Sequence, residues 1–386
     1  MKRFFYFLFA SLFMFAVSCN TDSGASDSDG GKFASGEGGK EGGGSQKEPG
    51  VITAGEWNDL DNWSFWNDLL TKDNYKEMPA YWGFYPNNRI SVEVLSSASV
   101  PVVNASVVLK RNDIPVFRAR TDNFGKAELW PDLFQANTNL DYSTLSIDVN
   151  DGAAILSQVK PFREGINHLV THQQTVDDRI EISFVVDATG SMGDELEYLK
   201  TELMDVLSRV KGANKGASLF TSSVFYRDEG DDYVTKVSGF TENTSNTIEF
   251  IRKQEAAGGG DYPEAVHSAL DKAVNELQWS QQAKTKLLFL VLDAPPHYNQ
   301  SVMESIKSSI NKGLETGIKI IPVTASGIDE KTEALMRFFS ISTNGTYVFI
   351  TDDSGVGNKH LEPNVGEYQV ELLNNLMVRL INKYSQ

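Results

Sequence analysis

The stretch Glu181-Ile-Ser-Phe-Val-Val-Asp187-Ala-Thr189-Gly-Ser191-Met-Gly-Asp194-Glu195 decides the fold. An apolar run rich in Val and Ile ends abruptly in an acid. Two hydroxyls at alternate positions, a glycine and the start of a helix follow. The run reads as a buried strand, and Leu196, Leu199, Leu203 and Val206, three and four residues apart, read as one helix face. A strand that feeds a helix through a tight polar turn sets side-chain oxygens at its carboxyl end, where open α/β sheets bind ligands. One carboxylate and two hydroxyls converging there make a hard-oxygen site. Such a site suits Mg²⁺, or Ca²⁺ or Mn²⁺, better than zinc or copper.

Downstream, strands and helices alternate. Strands are expected near 217–226, 318–323 and 347–350, with Leu287-Leu-Phe-Leu-Val-Leu292 as a continuous apolar strand in the middle of a parallel sheet. Helices are expected near 245–254, 263–277, 302–314, 330–341 and 365–383. This pattern is a doubly wound α/β domain with a mostly parallel sheet over 178–386. Two further polar stations fall at strand-to-helix loops of the same edge. Gly258-Gly-Gly-Asp261-Tyr-Pro-Glu264 precedes a helix, and Asp293 ends the apolar strand. Singly, each acid reads as a cap favoured by a helix dipole. Three stations on one edge read as a cation site, and glycines ahead of Asp261 let backbone approach an ion closely.

Asp187-x-Thr189-x-Ser191 resembles the metal-ion-dependent adhesion site of von Willebrand factor A domains, the fold shared with integrin I domains. The usual pattern is Asp-x-Ser-x-Ser, and Thr189 keeps the hydroxyl. The resemblance implies that one divalent cation is held by Asp187, Thr189, Ser191, Asp261 and Asp293. Asp293 matches the family's acid, whereas Asp261 stands where the pattern has Thr. It also implies a protein partner, engaged through an acidic residue that completes the coordination. The extra carboxylate favours the ion and weakens its pull on that residue. Asp194-Glu195 resembles the integrin β version, in which adjacent acids bind a second cation; first-turn acids stabilising a helix N-terminus are the simpler alternative.

Upstream, Met1-Lys2-Arg3 and an apolar run over 4–17 read as a secretory signal, too short to span a bilayer. Ala16-Val17-Ser18-Cys19 resembles the bacterial lipobox, and Cys19 is the single cysteine of the chain. The resemblance implies cleavage after residue 18 and a lipid on Cys19, hence a membrane-attached envelope protein. Asn20 in place of Asp points to the outer membrane by analogy with Gram-negative lipoproteins. Residues 19–52, rich in Gly and Ser, read as a flexible tether. In the aromatic segment 53–87, Trp57, Trp63 and Trp66 are spaced for one amphipathic helix over 53–72 and Trp82 follows; the cluster reads as packed on its neighbour, with a surface for carbohydrate or a partner as the alternative. From 88 to 173 the period becomes two, with turn signals at Thr121-Asp-Asn-Phe-Gly125 and Asp151-Gly152. That is a small antiparallel all-β sandwich, read as a spacer, and it resembles carboxypeptidase-regulatory or transthyretin-like domains.

A net charge of −17 excludes nucleic acid as a partner. The acidic run Arg227-Asp228-Glu-Gly-Asp-Asp232 lacks calcium-loop spacing and reads as a solvated loop. Ser191 sits on a strand-turn-helix elbow, but the Gly-x-Ser-x-Gly of hydrolases is missing and the five histidines include no evident base. The expectation is not an enzyme. It is a lipid-anchored envelope protein binding a cation and, through it, a protein. The rivals are a structural lipoprotein whose metal only stabilises the fold and, further off, a hydrolase.

Overall fold

A computed structural model of the chain describes residues 48–386. The signal sequence, Cys19 and most of the 19–52 stretch lie outside the described residues. All the described residues belong to one compact unit.

The described chain begins with β1 (Thr53–Trp57), α1 (Trp63–Leu69) and α2 (Met78–Trp82). One continuous amphipathic helix does not form here. The Asn58 side chain accepts the amides of Leu60 and Asp61 at 3.0 and 3.1 Å, an Asx turn that separates strand from helix. The aromatic residues go inward: Trp66 meets Phe338 edge-on and Phe84 stacks on the same ring. They pack on the α/β domain, as their spacing suggests.

Seven strands follow: β2 (Ile90–Leu95), β3 (Ser106–Arg111), β4 (Ile114–Arg120), β5 (Lys126–Leu129), β6 (Leu145–Val149), β7 (Ala154–Leu156) and β8 (Asn167–Val170). They make two sheets, ordered β5-β2-β8 and β4-β3-β6-β7. Asn112 and Asp113 both take positive φ, which suits the tight β3–β4 hairpin. Pairing is antiparallel except that β2 and β8 run parallel. Nor does this stretch stand apart as a spacer. Val107, Leu109 and Ile147 of the sandwich share one apolar core with Ile306, Leu314 and Phe338 of the α/β domain.

The α/β domain runs β9 (Asp177–Asp187), α3 (Gly193–Ala213), β10 (Ser218–Tyr226), β11 (Thr235–Thr241), α4 (Thr244–Arg252), α5 (Val266–Asp271), β12 (Ala283–Leu292), α6 (Gln300–Thr316), β13 (Lys319–Thr324), α7 (Glu330–Ser342), β14 (Tyr347–Ile350), β15 (Glu371–Leu372) and α8 (Leu373–Ser385). The sheet order is β11-β10-β9-β12-β13-β14-β1-β15. The strands from β10 to β14 in this order are parallel, as a doubly wound sheet requires. β11 closes one edge antiparallel, and β1 lies antiparallel between β14 and β15. Both faces are covered. Apolar residues of α3 and α8 join a second core, while those of α5, α6 and α7 join the core shared with the sandwich. Asn243, Asn299 and Asp329 cap α4, α6 and α7.

Two helices are shorter than their periodicity suggests. The one expected from 263 begins at Val266 and passes into a π turn over Lys272–Glu276. The closing helix begins at Leu373 because β15 precedes it. Among the described residues no helix is long and apolar enough to cross a membrane. β9, β12 and β13 end on a common edge, and the polar stations gather there.

Candidate metal centre

Asp187 is the last residue of β9 and is fully buried. Its Oδ1 accepts the Thr189 amide at 2.8 Å and the Thr189 hydroxyl at 2.7 Å. Thr189 Oγ1 lies 3.1 Å from Ser191 Oγ. The two-residue spacing therefore closes a turn in which an acid and two hydroxyls face the same point, with Ser191 exposed at the mouth. Asp293, buried, follows the end of β12 and comes to the same place; the Ser191 hydroxyl lies beside it and eases its ionisation.

The glycine loop closes over this turn. Gly190 donates its amide to the Gly258 carbonyl at 3.0 Å. Gly259 has φ +72°, and a Cβ there would come within 2.8 Å of Glu264 Oε1 and 3.2 Å of Thr189 Cβ. Only glycine permits that approach. Beyond it Asp261 is exposed, on the rim of a cleft of about 350 Å³ shared with Ser191 and Asp293. Glu264 is buried, its amide held by the Pro295 carbonyl at 2.9 Å. The acid turned into the site from this loop is thus Glu264, which the sequence reading passed over in favour of Asp261. The signal available was an acid set directly against the apolar Ala265-Val266.

Asp194 and Glu195 diverge, because neighbours on a helix point roughly 100° apart. Asp194 is exposed, whereas Glu195 is buried. Glu195 Oε1 accepts the Ser326 amide at 3.1 Å and lies 3.0 Å from His360 Nε2, though not aligned with it for a hydrogen bond. The pair does not converge on a second ion. The acidic run after β10 is solvated only in part: Glu229 and Asp232 are exposed, but its other charges turn inward. Arg227, buried, donates to the carbonyls of Ala188 (3.1 Å) and Glu255 (2.8 Å). Asp228 bonds His297 at 2.6 Å, and Asp231 accepts the Gly259 amide at 2.9 Å. These residues form a wall of the site.

Asp187 Oδ2, Asp293 Oδ1 and Glu264 Oε2 are buried without a hydrogen-bond partner. Such atoms are rare in folded proteins and costly. Burial, then the charge of Asp293, pushes Asp187 well above the usual carboxylate range, and burial also raises Asp293. Glu264 is pushed up to about 9 by burial, then by Asp187, Asp228 and Asp293. Among the described residues no three His, Cys, Asp or Glu side chains close into a ready cage. The donor set is carboxylate plus hydroxyl, and its orphaned oxygens fit a hard divalent cation.

A family model for the von Willebrand factor A domain matches residues 181–357. A putative ariadne-like RING finger protein of Acanthamoeba polyphaga mimivirus is 30% identical over 132 residues, 34% of this chain and 13% of that protein. The alpha-protein kinase vwkA of Dictyostelium discoideum is 26% identical over 144 residues, 36% of this chain and 22% of the kinase. The chain thus spans under a quarter of either relative's length. Among solved structures, the conserved hypothetical protein BatB from Bacteroides thetaiotaomicron aligns over 53% of this chain and 98% of its own, at 12% identity and TM-score 0.37. An aerotolerance-related membrane protein from Bacteroides fragilis aligns over 53% and 99%, at 14% identity and TM-score 0.34.

Proposed function

We propose that this von Willebrand factor A domain holds one divalent cation, Mg²⁺ or else Ca²⁺ or Mn²⁺, and engages a protein partner through it. The observation that carries the reading is the set of orphaned carboxyl oxygens on Asp187, Asp293 and Glu264. Asp187 and Asp293 would hold the ion together with the hydroxyls of Thr189 and Ser191. Glu264 supplies the further acid from inside the glycine loop, and Asp261 lies at the rim, placed to meet a partner. When bound, the ion supplies a positive charge that compensates carboxylates otherwise buried in mutual repulsion.

Three buried carboxylates outweigh the charge of a divalent ion, which favours retention of the ion over capture of a partner's acid. On that count the second reading is a metal that only stabilises the fold. Crosslinking in envelope extracts with and without EDTA separates the two: partner adducts that survive EDTA unchanged favour the structural reading. Catalysis is not proposed. Ser191 Oγ meets Thr189 Oγ1, while His297 is bonded to Asp228 and His360 to Asp352. Attachment to the envelope, at the outer membrane, is proposed to rest on a lipid at Cys19.

The direct test is thermal unfolding of the EDTA-stripped protein against added Mg²⁺. A saturable upward shift is expected, and Asp187→Ala should abolish it. An equal shift in the variant overturns the site.

A further inference from the structure

A cavity of about 40 Å³ lies at the opposite edge of the sheet, where β12 and β13 begin. A single water needs roughly 10–15 Å³. The sandwich supplies one wall with Asn104 and Arg120, and the sheet supplies the other with Lys286 and Lys319.

Its charges do not balance. Lys286 is 3% exposed, yet its Nζ reaches only Asn104 Oδ1 and the Ala283 carbonyl, each at 3.3 Å. Arg120 donates Nε to the Glu315 carbonyl at 2.9 Å and Nη1 to the Asn104 carbonyl at 3.0 Å. Both cations thus converge on one asparagine, which carries no charge. The nearby carboxylates are committed elsewhere. Asp122 serves Lys319 at 3.2 Å, and Glu128 takes Arg89 through two bonds. Glu181, the cross-strand neighbour of Lys286, is held by Arg179 and the Ser280 amide, and its charge offsets that of Lys286 only in part. Burial, then Arg120, brings Lys286 down to about 8, so at neutral pH it still carries its proton.

A buried ammonium beside a guanidinium, in a chain of net charge −17, calls for a mobile anion. A volume of that size admits a few heavy atoms and excludes a nucleotide. Lysine as a point charge and arginine as a planar fork are the usual pair of donors to oxyanions.

We propose that this cavity binds a small oxyanion of phosphate or sulfate size, held between Lys286 and Arg120. The anion ties the sandwich to the α/β sheet, at the far end of β12 from Asp293. The separation along the strand is about 20 Å, so the site is distinct from the metal centre.

The test is the melting temperature of the full-length chain at neutral pH, titrated with phosphate and separately with sulfate over a fixed chloride background. The wild-type chain should show a saturable upward shift of a few degrees, and calorimetry should give one anion per chain. Lys286→Met should melt higher than wild type in chloride alone and show no saturable shift. It should retain only the shallow, linear stabilisation that such salts give any protein. Arg120→Gln provides the same readout if the first variant does not fold. A wild-type chain without a saturable response to either anion overturns the proposal. So does a saturable response that survives in the variant.

Discussion

Replacing Asp59 with alanine is expected to destabilise the fold by about 4 kcal/mol. Asp59 and Arg337 both have fully buried side chains. The guanidinium donates to Asp59 through Nε at 3.0 Å and Nη2 at 2.6 Å, and to the Asn364 carbonyl through Nη1 at 2.6 Å. Asp59 also accepts the Trp57 indole at 3.1 Å. Alanine removes the acceptor of all but the Nη1 bonds to Asn364 and Glu333. Each charged hydrogen bond contributes about 1.5–3 kcal/mol, and breaking a buried pair from one side costs about 3–5 kcal/mol. Glu333, 3.4 Å from Nη1, offsets part of the loss. Urea unfolding followed by tryptophan fluorescence measures the change. The double variant Asp59→Leu/Arg337→Met should be more stable than Asp59→Ala alone, because the stranded guanidinium is gone, although buried Glu333 then loses its own cation. A single-variant loss under about 1 kcal/mol, or a double variant that merely adds the two losses, refutes the reasoning.

Lys286 titrates at about 8 in the folded chain against an ordinary 10.5. Between those values the unfolded chain binds more protons, so wild-type stability rises with pH there. In chloride, the advantage of Lys286→Met should be about 3 kcal/mol below pH 8 and close towards pH 10.5, as paired denaturation curves can check. Gly259→Ala should weaken the Mg²⁺-dependent thermal shift and cost about 1–2 kcal/mol, since φ is +72° and the new Cβ meets Glu264; an undiminished shift counts against the loop's closeness. Glu202 accepts the amides of Gly50, Val51 and Ile52 at 2.9 to 3.3 Å, and Glu202→Ala should cost about 1–3 kcal/mol and speed hydrogen exchange at those amides. Cys19→Ser should release the protein from membranes in a fractionation assay; continued retention argues against lipidation.

The α/β domain was legible because its strands carry their own signal. The run ending at Asp187 and the Leu287–Leu292 block are apolar and short, and each is followed by a helix with a clear face. The Asp187, Thr189 and Ser191 turn was legible for the same reason, since its geometry is local. Glu264 was not. Whether Asp261 or Glu264 turns inward depends on the Glu264 amide docking on Pro295, a contact from the next strand's loop. The wall built from Arg227, Asp228 and Asp231 was hidden likewise, because charge clusters read as solvated until their carbonyl and histidine partners are known. β1 was missed outright: Thr53-Ala-Gly-Glu-Trp57 shows no alternation, and its partners lie about 300 residues away.

That last pairing has a consequence for biosynthesis. Ala54 is among the first described residues to be made, yet it pairs with Ile350 and with Glu371. At typical synthesis rates of roughly 5–20 residues per second, β1 waits on the order of 15–60 seconds for its neighbours. Until then both edges of β1 are unpaired, and Asp59 has no Arg337 to meet. The sheet can therefore close at this end only once β14 and β15 have been made, so the β1 segment finds its place late in folding.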